Sequence, residues 1–280
     1  MRQDLLIQLG TAVNTVPVFR QSAQRVLALC ADTQCKPADL VNTIYQDPIL
    51  TLKVLKVVNS PHYNLGHKVT SIEHALVHMG MNPIKNLLLP LTSSRQFIED
   101  KNFGFDTHQY LLYLLSTAHL AKHLALSIQY SDPMECFVAG LLHDFGKLVL
   151  AHALPQEFAA ALTRSRNTQQ PLRDALQNTL NIDYAHLSAH LMEEWKFSAP
   201  LVLAVRHQHH DQVQNTDMNI CVFAAIQISK HLNFGFGGDN CAAPFPDAVQ
   251  NRLGGTMEQV IAALPGLNPL LNDIKTRAQV

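Results

Sequence analysis

An all-helical fold is what this chain predicts, and three observations predict it. Apolar residues recur at three- and four-residue spacing through nearly every segment. Helix starts are written as a polar residue followed by proline, at Lys36–Pro37, Asp47–Pro48, Asn82–Pro83 and Asp132–Pro133. Strand-like alternation is missing from the N-terminal half, and an uninterrupted series of helices with short connections runs through the rest.

The elements follow in order. Residues 4–14 form a weakly amphipathic helix broken at Val16–Pro17, and Val18–Leu29 form the next. The third opens at Lys36–Pro37 and buries Leu40, Val41 and Ile44; the fourth is capped by Asp47 and buries Ile49, Leu52, Leu55 and Val58. Asn59-Ser60-Pro61 ends it, with Asn59 able to adopt a left-handed conformation and, with Ser60, to fix the loop that follows. That loop runs to Val69 through Gly66, after which Thr70 and Glu73 have capping-box spacing for a helix that stops at Gly80. Another helix restarts at Asn82–Pro83. The polar stretch Glu99–Thr107 interrupts the periodicity and marks a lobe boundary near residue 105.

Beyond it come a long helix over Thr107–Ile128 and an apolar run from Asp132 to about Ala153, with Phe137, Val138, Leu141 and Leu142 on one face. Shorter helices follow over Pro155–Ser165, Leu172–Leu180, Ala185–Trp195, Ala199–His207 and Asn219–Leu232. Asn233–Pro246, rich in glycine, reads as a loop. The last helices span Asp247–Leu253 and Thr256–Lys275, the latter broken near Pro265–Gly266.

Bulk properties exclude several classes. The 280 residues suffice for one large domain or two small ones, and 47% hydrophobic with 15% charged residues is ordinary globular composition. A net charge of −1 provides no general attraction to nucleic acid or an anionic membrane, and neither partner is expected. The five cysteines (Cys30, Cys35, Cys136, Cys221, Cys241) form no CxxC pair, which predicts reduced thiols and a cytoplasmic protein. No signal peptide is evident, and the apolar runs fall short of the ~18 residues of a membrane span.

The stretch with chemistry in it is Ala139–Leu150, AGLLHDFGKLVL, where His143 and Asp144 sit at the end of the apolar helix. Such a pair suits metal or phosphate chemistry. The structural alternative makes Asp144 the cap of the next helix and His143 a satisfied core histidine. Gly146 is read as backbone freedom after the pair, and Lys147 either meets a phosphate or, the preferred reading, is a solvated lysine at a helix start. Fifteen histidines invite a metal hypothesis. The His207–Asp211 cluster is read as solvated and helix-terminal. On the loop before Val69, Tyr63 beside His62 offers an anchor for a partner.

The order of Pro17, DPILTLKVLKVVNS (Asp47–Ser60), TSIEHALVHMG (Thr70–Gly80), AGLLHDFGKLVL and the LMEEW segment ending at Trp195 resembles the HDOD family, the HD-related output domain of bacterial signalling proteins. The resemblance implies a two-lobed helical fold. Residues 1–105 would form the N-terminal lobe, 106–232 an HD-like lobe, and 233–280 a C-terminal extension packed on the domain. It also implies a relation to HD and HD-GYP metal phosphohydrolases. Carried over by flanking residues, the early histidine ligand falls on Leu115, with His119 and His123 out of register. A further histidine falls on Tyr184, paired with Ser188, the later pair on Gln208 and His209, and the closing aspartate on Ile226.

His143, Asp144 and His209 remain, a set able to hold one Fe, Mn or Zn ion weakly but not two cations. The resemblance therefore implies a signalling module without a competent catalytic centre or cofactor, in which His143, Asp144 and Lys147 are vestigial. It would bind a ligand or another signalling protein through His143, Asp144, Lys147 and His209, or through Tyr63. The alternative is a metal-dependent phosphohydrolase acting on a nucleotide or cyclic dinucleotide. On the first reading Asp144→Ala affects folding, by about 1–3 kcal/mol, more than chemistry.

Overall fold

The structure, a computed structural model, describes residues 3–63, 66–92 and 106–278, and its regular elements are helices throughout. The N-terminal part comprises α1 (Gln3–Thr15), α2 (Arg20–Ala31), α3 (Pro37–Tyr45), α4 (Pro48–Val58), α5 (Ile72–Met79) and α6 (Met81–Thr92). Asp47 organises it. One carboxylate oxygen caps α4 by accepting from the amides of Ile49 and Leu50 at 2.8 and 3.0 Å, and the other accepts from the Phe19 amide at 2.8 Å. A single buried side chain thus ties the entrance of α2 to the start of α4.

Two local expectations change. Asn59 is not left-handed: it lies at φ −81° and ψ 0°. Its amide instead clips the following loop shut, donating to the Leu55 and Val69 carbonyls while its oxygen accepts from the Val69 amide at 2.9 Å. The cap of α5 is Ser71, whose hydroxyl accepts from the His74 amide at 3.2 Å, and not Thr70. Glu73 is drawn away from a capping role by the hydroxyl of Tyr45, which donates to it at 2.5 Å. The lobe boundary expected at Glu99–Thr107 falls on residues that, up to 105, lie outside the described ones.

The remaining helices are α7 (Thr107–Ser127), α8 (Pro133–Leu142), α9 (Phe145–Ala153), α10 (Pro155–Thr168), α11 (Leu172–Leu180), α12 (Tyr184–Glu194), α13 (Ala199–Arg206), α14 (Asp217–His231), α15 (Asp247–Leu253), α16 (Met257–Ala263) and α17 (Leu267–Ala278). The centre is α7, which packs along α8 on one side and α14 on another, so apolar residues surround it almost completely. Pro133–Ala153 is long and apolar enough, by length and composition, to cross a membrane. It is bent at His143–Asp144 and 89% buried inside the protein, as a core helix pair is.

Candidate functional site

The helix pair α8–α9 breaks where the two polar residues fall. His143 terminates α8 with nearly helical angles, and Asp144 turns the chain at φ −108°, ψ 8°. Asp144 occupies the capping position of α9 but its side chain makes no capping bond, contrary to the structural alternative drawn from sequence. Gly146 is needed for close approach rather than for an unusual backbone. A Cβ there would lie 2.4 Å from the Tyr184 carbonyl and 2.6 Å from Ser188 Oγ, and the Gly146 amide donates to that hydroxyl at 2.9 Å. The missing side chain lets α9 press on α12, which brings Tyr184 over the site.

His143 is fully buried, with both ring nitrogens engaged. Nδ1 lies 2.6 Å from the Gly140 carbonyl, an oxygen that only accepts, so Nδ1 carries the proton. Nε2 therefore presents a lone pair, which accepts from the Tyr113 hydroxyl at 3.1 Å. Burial pushes the imidazole down to about 4, against the opposing pull of Asp144. It is neutral at pH 7. The sign of the pH effect follows: the unfolded chain takes up this proton near pH 6.5 and the folded one only near 4, so stability is lost as pH falls between those values. His143→Gln is expected to flatten that part of a stability-against-pH profile; an unchanged slope would contradict it.

Asp144 Oδ2 lies 3.5 Å from His143 Nε2 and 2.5 Å from Lys147 Nζ. The Lys147 ammonium also donates to the Gly237 carbonyl at 2.7 Å and sits 4.4 Å from the centre of the Tyr184 ring. Asp144 Oδ1 is buried with no hydrogen-bond partner. The backbone is held as well: Tyr110 donates to the Asp144 carbonyl at 2.9 Å and Gln208 Nε2 to that of His143 at 2.8 Å. A second buried pair adjoins, Lys230 with Asp239 at 2.7 Å. Although burial opposes it, Lys230 and Lys147 hold Asp239 down at about 2.

The preferred sequence reading of Lys147 is thus corrected. It is 1% exposed and paired, because the turn at 143–144 points the start of α9 inward, beneath the loop that carries Gly237. His143, Asp144 and Lys147 meet, and Tyr184 and Gln208 join them. His209 stands one layer out. It meets the Tyr184 ring edge-on at 5.3 Å, with Nε2 3.4 Å from Asp183 Oδ1. Asp183 is held well below the usual carboxylate range by His209 and Arg173, although its partial burial opposes this. Asp211 pairs with Arg173 at 2.6 Å. Tyr63 lies elsewhere, half-buried on the N-terminal part with its ring edge-on to His62 at 5.1 Å.

The register through Leu115 is also corrected. Tyr113, two residues earlier, faces His143, while Leu115 turns to a cavity between α3, α5 and α8. A two-residue step rotates a helical side chain by about 200°. From α14, Ser229 is bonded to Ser116 and Thr117, while Ile226, the place the resemblance gives to the closing aspartate, is a buried apolar residue. Sequence reasoning missed Tyr110, Tyr113, Gly237 and Asp239. The spacing of the two tyrosines, one helical turn apart on a run otherwise apolar, was the available signal for the first two.

This donor set does not fit a divalent metal. The lone pair of His143 Nε2 is taken by a tyrosine proton and Asp144 Oδ2 by an ammonium, and no third histidine, cysteine or carboxylate joins them among the described residues.

A family model described as HDOD domain matches residues 16–211. The chain belongs to the HDOD family. The fold of this HDOD chain is similar to that of the MmoQ response regulator of Methylococcus capsulatus (TM-score 0.73, 22% identity, 91% of this chain and 97% of that one). It is also similar to a virulence factor of Campylobacter jejuni (TM-score 0.71, 18% identity, 99% and 96%). An uncharacterized protein of Treponema pallidum is 23% identical over 212 residues, 74% of this chain; the HDOD chain spans 40% of that protein's length.

Proposed function

We propose that this HDOD chain is a non-catalytic signalling module of the cytoplasm, acting by binding a ligand or another signalling protein. One observation carries the reading: the lone pair of His143 and the Oδ2 oxygen of Asp144, the atoms an HD metal would use, are engaged by Tyr113 and Lys147. The ammonium supplies a positive charge to the carboxylate without Lewis acidity or a bound water, so the pair is neutralised and left chemically idle. His143, Asp144, Tyr113 and Lys147 are all buried, so binding through the surface falls to other parts of the chain, Tyr63 and His209 among them.

A second reading, a metal-dependent phosphohydrolase, draws on the buried, unpartnered Oδ1 of Asp144. Metal analysis of the purified protein with a phosphodiesterase screen decides between them. The expected result is Fe, Mn and Zn far below stoichiometry and no turnover. Stoichiometric metal with turnover abolished by Asp144→Asn would establish the hydrolase instead.

A further inference from the structure

We propose that the cavity where the N-terminal helices, α7–α8 and the terminal helix meet is a receptor site for a small amphoteric molecule, an amine and a carboxylic acid on one apolar body. This rests on the reading above, that the chain signals by binding, and names the site and the ligand class. The cavity has about 120 Å³ of room and opens to solvent on one side, so it suits a short-chain molecule rather than a large one. Its floor is the buried Phe137, and α17 closes one wall by seating Ile274, which is 1% exposed.

The charges give the ligand class. Glu73 from α5 and Lys122 from α7 both line the cavity and both are half-buried, yet they are not paired with each other, and neither has an ion-pair partner among the described residues. The Tyr45 hydroxyl donates to Glu73 Oε2, anchoring the acidic end. From there a row of rings crosses the floor. Tyr45 meets Phe137 edge-on at 4.9 Å, and Phe137 meets His119 at 5.1 Å. His119 lies one helical turn from Lys122, so the basic end is at the far side of Phe137.

A cavity with unneutralised opposite charges at its two ends and an aromatic floor complements a molecule of the reversed polarity. The ligand's ammonium would stand at Glu73 over the rings of Tyr45 and Phe137, and its carboxylate at Lys122. Its apolar body would lie across Phe137 against Ile274. Because the three walls come from three parts of the chain, occupancy favours the state with α17 seated, which is how binding would be transmitted.

The test uses the full chain and ε-aminocaproate as probe, with caproate and hexylamine as single-charge controls, followed by calorimetry. Saturable binding of the probe is expected, weakened at least about tenfold for either control and at least about tenfold in Glu73→Gln or Lys122→Met. Glu73→Gln keeps an acceptor for the Tyr45 hydroxyl, and both sites are partly exposed, so both variants should fold. Absence of saturable binding, or binding equal in wild type and both variants, overturns the receptor site. Metal content and turnover measured on the same preparation separate the two proposals, since a metal-free, inactive protein that ignores the probe sinks only this one.

Discussion

Asp144→Ala is expected to destabilise the fold by about 3–5 kcal/mol, more than the sequence suggested, because it strands an ammonium ion in the core. Lys147 is 1% exposed, and after truncation of Asp144 its remaining direct partners would be the Gly237 carbonyl and the faces of Tyr184 and Tyr113. None of these carries a full negative charge, and the nearby Asp239 carboxylate is paired with Lys230. The double variant Asp144→Asn with Lys147→Met should recover much of the loss, since it removes charge from both sides and leaves similar volume in place. Denaturant unfolding of Asp144→Ala, and of Asp144→Asn and Lys147→Met beside their double variant, measures this. A midpoint for Asp144→Ala equal to that of the wild type would show that the pair contributes nothing, and additive losses in the double variant would show that the two residues act separately.

Gly235→Ala should be nearly as damaging, by about 2–5 kcal/mol from left-handed strain together with overpacking. Gly235 lies at φ +81°, and a Cβ there would stand 2.3 Å from the Tyr113 amide nitrogen and 2.5 Å from the Gln109 carbonyl. Both are backbone atoms of α7 that have no freedom to yield. The loop is stitched to that helix by the Phe236 amide, which donates to the Gln109 carbonyl at 2.9 Å. Two residues on, Gly237 supplies the carbonyl that holds Lys147, so the displaced loop would loosen the buried ion pair as well. Gly254→Ala is the control. Its φ is +85° but nothing lies within 4 Å of the added carbon, so it reports strain alone. Equal losses for the two alanine variants would remove the close approach from the account.

Helix positions were legible in the sequence because their signals are local. Asp47–Pro48 and Asp132–Pro133 start helices where expected, and both aspartates accept from amides inside their own first turns. Gly80 ends α5 at φ +80°, and the loop over 233–246 follows α14 as its glycines require. The polar pair His143–Asp144 was likewise found from its place in an apolar run, and the order of Pro17, DPILTLKVLKVVNS, TSIEHALVHMG, AGLLHDFGKLVL and LMEEW suggested the family.

Register across helices was not legible. Matching through Ser116 put Leu115 at the histidine, whereas Tyr113 is there; an error of two positions along a helix is small in sequence and nearly half a turn in space. The fate of Lys147 depended on contacts 90 residues away, at Gly237, and a solvated lysine and a buried one read identically at a helix start. The sequence by itself determined the all-helical class, the placement of the helices to within a few residues and the presence of a His-Asp pair in the core, because caps, prolines and apolar period act within a few residues. Only the tertiary structure decided that the pair is closed by Tyr113 and Lys147 and that Glu73 and Lys122 face one cavity. Those meetings depend on how helices distant in the chain pack and turn against one another, which no local signal records.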